Sequence, residues 1–176
     1  MLHKVGPALA AGNGVVLKPA GYTPTIAELL VRLLLDAGVP AAYLALLQGS
    51  GRSVGQWLLE DPVPGFYAFT GSTEVGEHIH RTVGLPKCQL EMGSLSSVII
   101  CDDADIDDCI GRCLDAAFRK AGQICTSIQR LYVHRGVIDK VVDRLATLLA
   151  NRRAGDTTDP NTFIGPLISL DNAQRV

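Results

Sequence analysis

The chain has 176 residues, 47% hydrophobic and 19% charged, with a formal net charge of −2. That balance suits a folded chain of one domain or two small ones and excludes a disordered one. With no basic run and aromatics at 5%, it gives no support to a nucleic-acid partner, and its apolar stretches fall far short of the roughly 20 residues that cross a bilayer.

In chain order, Val15-Val16-Leu17 follows a Gly-Asn-Gly turn and reads as a buried strand. Thr23-Pro24 has the form of an N-cap followed by proline at the first helical position. Ile26, Leu29, Leu30, Leu33 and Leu34 then repeat at helical spacing up to Gly38. Tyr43 to Leu47 is the next strand, and the glycine loop from Gln48 to Gly55 opens into a helix through Leu59. Phe66 to Phe69 is a strand, and Thr70-Gly71-Ser72 turns into a helix over Thr73 to Thr82. Gln89 to Glu91 and Val98 to Cys101 read as strands. Ile106 to Lys120 is helical, Arg130 to His134 is a strand, and Val137 to Leu149 is an amphipathic helix. The remainder is rich in turns, with a helical pattern again over Leu170 to Val176. Strands alternating with helices are the signature of an α/β fold with parallel sheet.

The five cysteines, Cys88, Cys101, Cys109, Cys113 and Cys125, are odd in number and lack paired spacing, so reduced thiols and a cytosolic location are expected. No metal site is expected, because Cys109 and Cys113 share a helix face without two further ligands nearby in the sequence. The aspartates from Asp102 to Asp108 are not a calcium loop. Asp108 stands where the loop needs glycine and Leu114 where it needs glutamate, and acidic residues at a helix start are favourable on their own.

Several residues carry chemistry if the fold places them well. Cys125 lies in Gly122-Gln123-Ile124-Cys125-Thr126, where the glycine permits close approach and a polar turn can favour the thiolate; an inert core thiol is the other reading. Glu91 ends a strand beside Met92-Gly93 and suits a general base or a salt-bridge partner. Gly71 and Ser72 open a helix whose N-terminus attracts anions, Gly49 and Gly51 lie in a second glycine loop, and Lys18 ends a strand where it could reach a phosphate. Each is also consistent with ordinary turns and a solvated lysine.

In order, the chain contains Gly14-Val15-Val16-Leu17-Lys18-Pro19, Ala37-Gly38-Val39-Pro40, Phe69-Thr70-Gly71-Ser72-Thr73-Glu74-Val75-Gly76, Leu90-Glu91-Met92-Gly93, Gly122-Gln123-Ile124-Cys125 and Ile164-Gly165-Pro166-Leu167. This ordered set resembles the aldehyde dehydrogenase superfamily, specifically the central part of it. The resemblance implies a partial Rossmann-like cofactor-binding domain over 1–93, followed by the first part of an α/β catalytic domain over 94–176. It implies NAD or NADP as cofactor, held by Lys18, Gly49, Gly51, Gly71 and Ser72, with Gly93 at the switch between domains. Cys125 would be the nucleophile that takes an aldehyde substrate through a thiohemiacetal and a thioester, and its N–H would be one oxyanion donor. Glu91 would be the base for the hydrolytic water, and its presence favours hydrolysis over transfer to coenzyme A. Gly21 stands where many members have a ribose-binding glutamate, which opens the site to a 2′-phosphate. Ser94, Leu95 and Ser97 also depart from the family pattern.

The resemblance leans towards small polar aldehydes and semialdehydes. It implies a homo-oligomer, or self-association through exposed strand edges. Because the Pro-Trp-Asn stretch and the nicotinamide-ribose glutamate of the family have no counterpart here, the 176 residues alone are expected to show very low dehydrogenase activity. A catalytically inactive piece with a structural or interaction role is the alternative.

Overall fold

The computed structural model describes all residues, 1–176. The chain forms two compact units, Met1–Met92 and Gly93–Val176. Its fold is mixed α/β: three successive strand–helix–strand segments, each closing a two-stranded parallel sheet. Parallel strands need such a crossover, because a tight turn cannot bring the chain back to the same end of the sheet.

The first unit opens with α1 (Leu2–Ala10), followed by β1 (Val15–Leu17), α2 (Pro24–Asp36) and β2 (Leu44–Leu46). β1 and β2 pair in parallel from Val15↔Leu44 to Leu17↔Leu46. Val5 of α1, Val31 of α2 and Leu44 of β2 form the buried cluster over which this segment closes. α3 (Gln56–Glu60) leads to β3 (Phe66–Thr70), α4 (Thr73–Val83) and β4 (Lys87–Glu91), with β3 and β4 paired from Phe66↔Lys87 to Thr70↔Glu91.

The second unit repeats the plan with β5 (Ser96–Ile100), α5 (Ile106–Phe118) and β6 (Ile128–Val133), then adds α6 (Ile138–Leu149) and α7 (Leu170–Arg175). α5 starts where the sequence says it should. Asp105 caps it, accepting from the N–H groups of Asp107 at 3.1 Å and Asp108 at 3.2 Å, so the aspartate run serves the helix terminus. Ile110, Cys113 and Leu114, spaced at i, i+3 and i+4, form its buried face. Ile100, Ile110 and Val141 make the core, and each such side chain contributes about 1.5–3 kcal/mol on burial. No helix is long and apolar enough to cross a membrane.

The structure departs from the sequence expectations at element ends. Thr23 precedes α2 but its hydroxyl makes no capping bond, so proline at the first position is left as the start signal. Tyr43 belongs to a short 3-10 turn, Ala41–Tyr43, rather than to β2. The glycine loop does not run straight into a helix: Gly51–Gly55 is a wide turn of π type, closed by the Gly55 N–H on the Ser50 carbonyl at 3.1 Å. α5 ends at Phe118, not Lys120, because Lys120 (φ 52°) and Ala121 (φ 56°) adopt left-handed conformations that a helix cannot contain.

Candidate active site

In the first unit, the residues singled out for cofactor chemistry gather at the carboxyl ends of the strands. Lys18 directly follows β1, and its ammonium donates to the Pro19 carbonyl at 2.6 Å. Its aliphatic stem passes over Gly55, where an added Cβ would lie 3.7 Å from Cδ and 3.8 Å from Cε. Gly49 and Gly51 follow β2, whose end is fastened by the Leu47 N–H donating to the Leu17 carbonyl at 2.9 Å. Gly49 has φ +149°, and a Cβ there would sit 2.3 Å from Val54 Cγ2, so only glycine fits this turn.

Gly71, Ser72 and Glu91 meet at the carboxyl end of the second strand pair. The Gly71 N–H donates to the Glu91 carbonyl at 3.1 Å, which holds the β3–α4 turn against the last residue of β4. Ser72 caps α4, its hydroxyl accepting the Val75 N–H at 3.3 Å. That oxygen still has a proton to donate, and the N–H groups of Thr73 and Glu74 at the same helix start are free. The Glu91 carboxylate is exposed and accepts a long bond of 3.4 Å from Gln89 Nε2. Gly93 lies exposed in the segment between β4 and β5.

These donors fit an anionic dinucleotide. The stem of a lysine lies over a turn built on glycine, and free backbone N–H groups sit at the positive end of an eleven-residue helix, all at the carboxyl ends of parallel strands. Gly21 adds no carboxylate, and a Cβ built there meets nothing within 4 Å.

Cys125 belongs to the second unit, as an exposed free thiol three residues before β6. The turn leading to it is the most strained stretch of backbone in the molecule. Lys120, Ala121 and Gly122 are consecutive positive-φ residues (52°, 56° and 73°), and the two non-glycine ones cost about 1 kcal/mol or more each. The turn is fixed on its other side by Ser96 of β5, whose hydroxyl donates to the Cys125 carbonyl at 3.1 Å and lies 3.1 Å from the Ser94 hydroxyl. The Cys125 N–H is free, and the Ser127 N–H closes the turn on the Ile124 carbonyl at 3.0 Å. A β-bulge follows at once: Ser96 pairs with Ile128 and Ser97 with Arg130, leaving Gln129 unmatched.

Two of the remaining thiols differ from Cys125, whereas Cys101 is exposed as it is. Burial, and behind it Asp105 and Asp108, pushes the Cys109 thiol pKa up; burial, and behind it Cys109, does the same to Cys113. Both are held in the unreactive protonated form. No three His, Cys, Asp or Glu side chains converge as a metal-binding group. Sequence reasoning missed Ser96 and Ser127. The former shows its contact only through a bond spanning 29 positions, and the latter is 1% exposed with its hydroxyl unpartnered in the turn that carries Cys125.

The chain is 44% identical over 174 residues to 3-sulfolactaldehyde dehydrogenase of Priestia aryabhattai, covering 99% of this chain and 36% of the relative. It is 41% identical over 176 residues to succinate-semialdehyde dehydrogenase [NADP(+)] of Escherichia coli (strain K12), again covering 99% of this chain and 36% of the relative. Among solved structures, an NADP-dependent enzyme of E. coli superposes with a TM-score of 0.93 at 40% identity, over 98% of this chain and 36% of that one. The structure of 3,6-anhydro-L-galactose dehydrogenase in complex with NAP superposes with a TM-score of 0.92 at 34% identity, over 97% of this chain and 36% of that one. The chain thus spans about a third of the length of the curated relatives it matches. The model of the aldehyde dehydrogenase family matches residues 1–176 throughout, and the chain belongs to that family.

Proposed function

We propose that this chain carries the nucleophile and part of the cofactor site for NAD(P)-dependent oxidation of an aldehyde to a carboxylic acid. The observation that supports it most is Cys125 itself: an exposed thiol with a free N–H, on a turn that spends conformational energy to hold one shape, in a chain of the aldehyde dehydrogenase family.

In this reading the Cys125 thiolate adds to the aldehyde carbon. The carbonyl electron pair moves onto oxygen, where the Cys125 N–H donates to it. The chemistry supplied by a bound nicotinamide dinucleotide is acceptance of a hydride, a two-electron oxidation that leaves Cys125 acylated as a thioester. Glu91, exposed at the end of β4, takes a proton from water. The water oxygen bonds to the acyl carbon, the carbon–sulfur bond breaks, and Cys125 leaves with that electron pair. Lys18 and the N-terminus of α4 hold the phosphates, and the open position at Gly21 leaves room for a 2′-phosphate, so NADP is accepted as well as NAD. The named relatives act on 3-sulfolactaldehyde and succinate semialdehyde, which supports small polar aldehydes as the substrate class. Five free cysteines suit a reducing cytosolic compartment. Two-stranded sheets with open edges suit self-association.

A second reading, a structural or interaction piece without turnover, draws on the apolar surface, where Leu85 is fully exposed and Ile99 is 76% exposed. An activated ester separates the two, because it needs only the nucleophile. On mixing with 4-nitrophenyl acetate, the Cys125 sulfur bonds to the acetyl carbon, 4-nitrophenolate leaves with the ester electron pair, and the thiol proton goes to water. The expected result is a burst approaching one equivalent per chain with the acetyl group on Cys125, abolished in Cys125→Ser. Acetyl groups spread evenly over the exposed thiols would contradict the nucleophile reading.

A further inference from the structure

Two residues before Cys125, Gln123 makes the longest-range side-chain hydrogen bonds in the molecule. Its Oε1 accepts the Ile168 N–H at 2.8 Å across 45 positions. Its Nε2 donates to the Lys120 carbonyl at 3.0 Å and, more weakly, to the Pro166 carbonyl at 3.4 Å across 43 positions. The carboxamide thus works from both ends. One end secures the segment after Gly165; the other holds the carbonyl of the first left-handed residue in the strained turn. The Gln123 N–H also reaches that carbonyl, at 3.2 Å. The captured segment is itself anchored, since the Gly155 N–H donates to the Ile164 carbonyl at 3.0 Å and Ala154 and Ile164 form a parallel bridge.

A left-handed Lys–Ala–Gly run persists only where its surroundings over-determine it. Ser96 holds the turn after the strain, through the Cys125 carbonyl; Gln123 holds it at the strained residues. We propose that Gln123 is a positioning residue: by binding the Ile168 N–H and the Lys120 carbonyl at once, it keeps the turn in the conformation that presents the Cys125 thiol to an acyl donor. The role rests on the reading of Cys125 as nucleophile. It predicts that the segment around Ile168 and the reactivity of a thiol more than forty positions away respond together.

The test uses the 176-residue chain with Gln123→Ala and Gln123→Glu, and two readouts. One is hydrogen exchange at the Ile168 amide. The other is the rate of Cys125 acetylation by 4-nitrophenyl acetate, divided by that of Cys101, also exposed and in the same unit. Gln123→Ala should speed Ile168 exchange and lower the Cys125/Cys101 ratio, each by roughly tenfold, the factor a net hydrogen bond carries. Gln123→Glu preserves size if the alanine variant folds poorly. When protonated it can both accept from Ile168 and donate to Lys120, so the Cys125/Cys101 ratio should recover towards wild type below about pH 4 and fall as the carboxylate forms. Faster Ile168 exchange with an unchanged ratio would overturn the positioning role and leave Gln123 as a staple only. Unchanged exchange in Gln123→Ala would show that the clip is not made and would overturn the proposal. If Cys125 in the unmodified chain reacts no faster than Cys101 while Ile168 is protected, the nucleophile reading fails and this role falls with it, although the clip stands.

Discussion

In the first unit the candidate site residues follow strands; in the second the candidate nucleophile precedes one. Lys18, Gly49, Gly71, Ser72 and Glu91 come at or after the carboxyl ends of β1 to β4, whereas Cys125 comes before the amino end of β6. The difference matches the chemistry. An anionic cofactor is met by groups the topology supplies for nothing: free N–H groups at a helix start and a lysine at a strand end. The proposed nucleophile needs one exposed atom at a fixed place, and strain, a bulge and side-chain bonds to carbonyls surround Cys125.

The cores offer the strongest way to break that comparison. Val5, Val31 and Leu44 form one cluster, and Ile100, Ile110 and Val141 the other. Ile110 is 0% exposed, so Ile110→Ala should cost the second unit about 2–5 kcal/mol. Val31→Ala should cost the first about 1.5 kcal/mol, from the two carbons it removes at about 0.8 kcal/mol each. Hydrogen exchange resolved by segment should show Ile110→Ala loosening Gly93–Val176 more than Met1–Met92. Equal loosening of both would mean that the two cores are not separate.

On the cofactor side, Lys18→Ala should weaken NADP binding by roughly ten- to a hundredfold through loss of a charge-assisted contact. Gly21→Glu should lower affinity for NADP relative to NAD by about tenfold, because a carboxylate repels the 2′-phosphate. Calorimetry on the chain checks both. An NADP affinity indifferent to Lys18 would detach the first unit from the cofactor.

On the nucleophile side, Ala121→Gly removes a left-handed alanine at φ 56° and should raise stability by about 0.5–1 kcal/mol in thermal unfolding. No gain would mean that the turn is not strained in solution. The smallest effect concerns pH. Burial raises the thiol pKa of Cys109 and Cys113 in the folded chain, so their contribution is fully present below the ordinary thiol pKa of about 8.5 and is lost as pH climbs through the raised values. Unfolding midpoints should therefore fall on the alkaline side, and Cys113→Ala should flatten that slope.

Much of this was legible in the sequence, for physical reasons. The alternation of apolar runs with helical periods gave the α/β class, because burial on one face imposes period on sequence. The acidic run before Ile106 fits the start of α5, and the glycine before Cys125 permits the unusual backbone found there, whereas the cap at Asp105 and the positive φ at Gly49 are seen only in the structure. What stayed hidden was non-local or unmarked. Nothing in Arg119-Lys120-Ala121 signals two left-handed residues, since periodicity continues through them and only tertiary restraint ends the helix at Phe118. Ser96 and Gln123 make their contacts across 29 and 45 positions, and spacing along the chain does not encode such partners. Among the candidate site residues, Gly71, Ser72 and Glu91 are joined at one end of a strand pair by the Gly71–Glu91 hydrogen bond, a closeness that follows from parallel register rather than from any motif.

The most direct test of the central claim is competition between thiols of the same unit under a limiting electrophile. Cys101 and Cys125 are both exposed, one just after β5 and the other just before β6. With substoichiometric iodoacetamide at neutral pH, the account predicts Cys125 alkylated at least about tenfold faster than Cys101, with Cys109 and Cys113 last. Alkylation of Cys101 as fast as Cys125 would contradict it.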